Sequence, residues 1–163
     1  VNAPRVLRVS AIVLAALALA AAAGFYLGAS MGLFSGKRPT DLGFRDGAFK
    51  AGDWKPNWVS STAPKDDAKH YIAPFAIRGE RAKAWAALDA AISATPHATI
   101  VRRDPGYIHA EFATKAGFVD DAEFAMAPDG SAIHVRSGAR LGIRDFGVNR
   151  NRIEALRARV AAP

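Results

Sequence analysis

The chain opens on a run without a charged position, from Val9 to Gly36, with Arg5 and Arg8 before it and Lys37 and Arg38 after it. The run exceeds the roughly 20 apolar residues that carry a helix across a hydrocarbon core. Within it Gly24, Gly28 and Gly32 recur at every fourth position, and Ala20 and Ala16 extend the row. Residues four apart share a helix face, and small side chains there let a second helix approach closely. Residues 37–68 lose this order, because Pro39, Gly43, Gly47, Gly52, Pro56 and Pro64 break any helical or strand period. Leu42, Phe44, Phe49, Trp54, Trp58 and Val59 carry too much apolar surface for a free linker. The stretch is predicted to be an extended arm lying on the domain, with Trp54 and Trp58 as its anchors.

Periodicity then returns. His70 to Ile77 alternates as a strand, and Gly79 to Thr95 reads as a helix with Trp85, Leu88 and Ile92 on one face. Pro96 ends it. Ala98–Arg102, Tyr107–Thr114, Phe118–Met126 and Ala132–Leu141 read as strands, turned at Asp104-Pro105-Gly106 and Pro128-Asp129-Gly130. A last helix begins near Asn149, with Ile153, Leu156 and Val160 on one face. Strand, helix, four strands, helix predicts an α+β domain: a mainly antiparallel sheet with both helices on one face, TATA-binding-protein-like or helix-grip-like. That likeness concerns fold and carries no function. The chain thus divides into a tail (1–8), a span (9–36), an arm (37–68) and the α+β domain (69–163).

Strand parity sorts the side chains. Ile108, Ala110, Phe112, Phe118, Ala122, Phe124, Met126, Ile133, Val135, Ala139 and Leu141 are expected to face the helices. Tyr107, His109, Glu111, Asp121, Glu123, His134, Arg136 and Arg140 are expected on the other face, while Asp120 breaks the pattern. So ionic a face has four uses. Its simplest is a ladder of cross-strand ion pairs, each worth roughly 0.2–1 kcal/mol. It could also dock a partner, grip an anion between Arg136 and Arg140, or bind a divalent metal. No metal-site spacing supports the last, and no cofactor is expected.

Composition narrows the classes. The 163-residue chain has a net charge of +7 and no cysteine, which removes disulfides, thiolate metal sites and thiol nucleophiles. Setting aside Arg5 and Arg8 leaves 20 basic residues against 15 acidic ones, an excess that favours anionic lipid or an acidic partner. Mixed charge and the absence of a recognition motif argue against nucleic acid. Ser60, Ser61 and Ser137 lack a nucleophile elbow, and no phosphate- or dinucleotide-binding loop is present. An enzyme is therefore disfavoured. Ala21-Ala22-Ala23 before Gly24 would serve as a cleavage site. Secretory signals, however, carry apolar cores of only about 7–15 residues, and the longer run here favours a retained anchor.

Several ordered blocks resemble the family known as domain of unknown function 1499. They are Arg38-Pro39-x-x-Leu42-Gly43, Pro56-Asn57-x-Val59-Ser60-Ser61 and Ile72-x-Pro74, then Phe118-Val119-Asp120-Asp121-x-Glu123-Phe124. Ile133-His134-Val135-Arg136-Ser137, Arg140-Leu141-Gly142 and Asp145-x-Gly147-Val148-Asn149-Arg150 complete the set. The resemblance implies two cysteines in many members at the positions of Gly52 and Trp58, so no disulfide or thiol role carries over. It supplies residues and no reaction. Read physically, Asp120, Asp121 and Glu123 oppose Arg136 and Arg140. Asn149 is expected to cap the last helix, beside Asp145. Arg150, unfavourable in a first turn, is expected to pair with Asp120 or Asp121.

The functional expectation is a single-pass bacterial inner-membrane protein with a periplasmic domain. It would be a non-enzymatic accessory or structural subunit of a larger membrane complex, photosynthetic or respiratory complexes being plausible hosts. Its partners would be lipid and the transmembrane helices of that complex, met through Ala20, Gly24, Gly28 and Gly32. The alternative is a membrane-tethered module for a small anionic ligand, and the third a hydrolase of unrecognised type.

Overall fold

The computed structural model describes residues 3–161; the outermost two residues at each end, including the start of the predicted tail, lie outside. Helix α1 runs Ala3–Ser30. Its stretch Val6–Ser30 is long and apolar enough to cross a membrane, with a mean hydropathy of 2.3 over its most apolar part, which is exposed throughout; only its last turn, at Gly28 and Ala29, is covered by the protein. The helix ends inside the uncharged run because Gly32 adopts a φ of 73°. The Leu33 N–H reaches the Gly28 carbonyl (3.0 Å) and the Gly32 N–H that of Ala29 (3.1 Å). These two bonds make a Schellman ending, in which glycine takes the left-handed position. Phe34 then folds back, stacking on Phe25 (5.0 Å between ring centroids) and on Phe118 of the domain (5.4 Å).

The remaining elements are β1 (Phe44–Arg45), β2 (Ala48–Phe49), β3 (Trp58–Ser60), β4 (Phe75–Ala76), α2 (Arg81–Ser93), β5 (Ala98–Asp104), β6 (Tyr107–Ala113), β7 (Val119–Met126), β8 (Ala132–Ala139) and α3 (Val148–Ala161). The main sheet is antiparallel, in the order β3-β8-β7-β6-β5, with β4 also on β8; β1 and β2 form a separate hairpin. Both α2 and α3 pack on one face, as the pattern predicts. Leu88 and Ile92 of α2 and Ile153 and Leu156 of α3 close over Ile108, Ala110, Phe112, Ala122, Phe124, Ile133 and Val135. Full burial of a side chain such as Phe124 stabilises by roughly 1.5–3 kcal/mol.

Three elements differ from the expectation. The segment predicted to be a lone arm supplies β3 to the sheet, Trp58 pairing with Gly138 and Ser60 with Arg136. The predicted strand His70–Ile77 contracts to β4, because His70 and Tyr71 spend their N–H groups on the Asp67 carbonyl in a turn (3.1 and 2.8 Å). Phe118 and Leu141 do not reach the helix side. They stand outside the strands, Phe118 on Phe34 and Leu141 beside Gly36.

Candidate functional site

The register sets the polar side chains on one face, as parity predicts. Tyr107, His109 and Glu111 of β6 stand beside Ala125, Glu123 and Asp121 of β7. These in turn stand beside His134, Arg136 and Gly138 of β8. The unexpected finding is a roof. Residues between Arg38 and Lys50 cross this face and bond to it.

Glu123 lies at the centre and is fully buried. Its Oε1 accepts from the Gly43 N–H (2.6 Å) and the Tyr107 hydroxyl (2.7 Å), and its Oε2 from Arg136 Nη1 (3.3 Å). Burial, together with the neighbouring Glu123 carboxylate, pushes the Tyr107 hydroxyl far above its usual pKa. Asp121 accepts a two-pronged grip from Arg140 (2.7 and 2.8 Å) and lies 2.7 Å from His109 Nε2. Such bidentate, charge-assisted bonds are among the strongest a carboxylate makes. Burial opposes ionisation of Asp121, but Arg140 and His109 outweigh it and hold the carboxyl below its usual range. Glu111 behaves alike: burial is outweighed by Arg38 and Arg140, which both bind it. These carboxylates hold the Arg140 guanidinium charged, above its usual pKa.

The roof continues at Phe44, whose ring stacks on His134 (5.3 Å), and at Lys50, whose carbonyl accepts from Arg136 Nε (3.1 Å). Burial lowers the His134 pKa. Arg136 and Arg140, the expected anion clamp, are thus committed to the chain's own acceptors. Among the described residues no buried side-chain nitrogen or oxygen lacks a partner, and no three His, Asp or Glu side chains are grouped to hold a metal. A cavity of about 460 Å³ lies between roof and sheet; Asp41, Asp53, Lys50 and Lys55 give it both signs of charge.

The motif residues on the opposite face form a second joint. Asp120 lies on the helix side, where Arg152 of α3 binds it (2.6 Å). Ser137 donates to Asn149 Oδ1 (2.5 Å), which also accepts from Arg152 (2.7 Å). Asn149 Nδ2 reaches the Asn57 carbonyl (3.3 Å). The expected link between the last helix and the sheet therefore exists, but through Arg152. Arg150 instead donates to the carbonyls of Ala68, Lys69 and Tyr71 (3.3, 3.1 and 2.8 Å). Nor is Asn149 the cap. α3 starts at Val148, and Asp145 caps it by accepting the N–H groups of Gly147 (3.1 Å) and Asn149 (2.9 Å).

The two adjacent serines bond within the fold. Ser60 bonds Thr62 (3.0 Å), and Ser61 takes the Val135 N–H (2.9 Å) while lying 3.1 Å from His134 Nδ1. Of the small-residue row, Ala20 and Gly24 are exposed. Gly28 is covered by the chain's own Leu33 and Phe34, and Gly32 lies past the helix end.

The model of the family described as "Protein of unknown function (DUF1499)" matches residues 53–160. The chain belongs to that family. No curated protein and no solved structure matches it. In this DUF1499 domain Gly52 and Trp58, the two positions where the resemblance implies cysteines, pack against each other. The indole leaves no room for a Cβ at Gly52, stacks on His70 (4.0 Å) and donates to the Asp53 carbonyl (2.8 Å). Trp54, expected to anchor the arm, is instead 73% exposed. Sequence reasoning missed Arg38 and Arg152 as members of the two joints. Arg38 opens the first motif block, and Arg152 follows Asn149 at helical spacing, a signal that was available.

Proposed function

We propose that this protein is a non-enzymatic accessory subunit of a bacterial inner-membrane complex, with α1 spanning the bilayer and the DUF1499 domain in the periplasm. The observation that carries the reading is the roof. The ionic face, where a ligand module would act, is occupied by the segment that joins α1 to the sheet. The charged network thereby ties the domain to its anchor, and Arg38 reaches Glu111 only eight residues after α1 ends. The outer surface of α1, including Ala20 and Gly24, is free to meet partners. Small residues exposed on an apolar helix suit close approach by another helix.

The test is sizing of the tagged protein in mildly solubilised native membranes, with Gly24→Leu beside the wild type. A Cβ at Gly24 meets nothing within 4 Å, so the substitution leaves the fold alone. The wild type is expected to migrate with a large assembly and the variant to fall away. A wild type that migrates alone overturns the subunit reading.

A further inference from the structure

The exposed large hydrophobic residues described outside α1 and the turn after it are Trp54, Phe118, Leu141, Ile143, Phe146 and Val148. All six cluster at one end of the sheet. Phe118 precedes β7, Leu141 and Ile143 follow β8, Phe146 leads into α3 and Val148 begins it. Trp54 stands three residues before Asn57, whose amide donates to the Gly142 carbonyl (2.9 Å). The opposite end, with the β5–β6 and β7–β8 turns, presents Asp104 and Asp129 and none of these hydrophobics.

The apolar end is also the end from which α1 emerges. A Cβ on Gly117, in the β6–β7 turn, would stand 3.1 Å from the Ala29 carbonyl, and one on Gly36 would stand 3.0 Å from Leu141. Phe146 is five residues beyond Leu141, so it lies within ~18 Å along the chain. It is 91% exposed, at a φ of 53°. A bulky residue rarely adopts that conformation, and the Asp145 cap on the next turn holds it there. Lys37, Lys115 and Arg144 stand in the segments next to these side chains in the chain, exposed, and none of them forms an ion pair among the described residues. Aromatic residues with nearby cations are what a bilayer interface accepts.

The geometry points to a membrane-binding surface. The end of the domain made by the loop 141–148, Phe118 and Trp54 rests on the bilayer beside the emerging α1. There Ile143 and Phe146 enter the interfacial region, and Lys37, Lys115 and Arg144 meet anionic headgroups. This rests on the reading that α1 spans the membrane, and it adds that the domain lies down on the surface rather than standing off on a tether.

The chain contains no cysteine, so single labels can be placed on the full-length protein. Phe146→Cys, Lys83→Cys on the exposed side of α2 and Leu17→Cys within α1 each take an environment-sensitive fluorophore. The labelled proteins are reconstituted in phosphatidylcholine–phosphatidylglycerol vesicles containing spin-labelled lipid. The label at 146 is expected to be quenched several-fold more than that at 83, and more strongly with phosphatidylglycerol than without it. If the label at 17 is quenched and that at 146 is quenched no more than that at 83, the span stands and this inference fails. If the label at 17 is not quenched, the spanning helix itself fails. Protection of the label at 146 in native membranes but not in vesicles makes this end a protein interface and overturns the proposal.

Discussion

On its helix side the sheet sets Ile108, Phe112, Phe124, Ile133 and Val135 against Leu88, Ile92, Ile153 and Leu156. On its other side it sets Glu111, Asp121 and Glu123 against Arg38, Arg136 and Arg140. Both sides are covered, yet by opposite chemistry, and on the ionic side Glu123 and Asp121 are buried while Arg38 at the rim is 57% exposed. Apolar packing is non-directional and tolerates repacking. A buried ionic layer tolerates no missing member, because each charge was desolvated on the assumption of a partner. The equal burial of Phe124 and Glu123 at the two centres therefore predicts near-equal cost on deletion, but different responses to conditions.

The largest effects test that equality. Phe124→Ala leaves a cavity and is expected to cost about 3–5 kcal/mol in chemical denaturation. Glu123→Ala strands Arg136, the Tyr107 hydroxyl and the Gly43 N–H, and is expected to cost a similar ~3–5 kcal/mol. A loss below about 1 kcal/mol, the level of a surface ion pair, would mean that water reaches the ionic side. Next comes the seam between roof and sheet. Gly52→Ala drives a methyl into the Trp58 indole, which His70 backs. It is expected to cost about 1–3 kcal/mol, as overpacking does. Unchanged stability would show that the Trp58 stack is loose.

Acid separates the two sides. Asp121 and Glu111 have lowered pKa values in the folded chain. The unfolded chain therefore takes up protons first, and the stability these groups supply is full above about pH 4 and declines below it. His134 is also lowered, so its contribution is full above about pH 6.5 and declines as pH falls below that value. Denaturation midpoints are expected to fall in two stages on acidification, and His134→Asn is expected to remove the upper one. An upper stage that survives this substitution contradicts the assignment. The smallest effect lies outside both layers. Arg103 grips Asp89 at the surface, and Arg103→Ala is expected to cost only about 0.2–1 kcal/mol.

The helix side was legible from sequence because its code is redundant. Alternation in three long strands and the spacing of Ile153, Leu156 and Val160 all point to one buried surface. The polar residues of the other side were placed on the correct face for the same reason, since Glu123 and Arg136 inherit their parity from Phe124 and Val135. What parity does not carry is the occupant of that face. The Gly43 N–H and the Phe44 ring come from an aperiodic segment about 80 residues before their partners. No local spacing encodes such a contact. Arg150 and Arg152 show a finer limit. Two residues apart on a helix they point in different directions, and it is Arg152, not the expected Arg150, that meets Asp120. Gly32 looked like part of a packing stripe because the same residue type serves both helix contact and helix termination.

The ionic side is covered by the chain itself, and one amide reports on that directly. Hydrogen exchange of the Gly43 N–H is expected to be as slow as that of Ala122 in the middle of β7, because it is bonded to the fully buried Glu123 on the inner side of the roof. Exchange as fast as that of Gly47, in the turn between β1 and β2, would mean that the roof lifts. The ionic side would then be an open face, free for a ligand, and the joint proposed here would not exist.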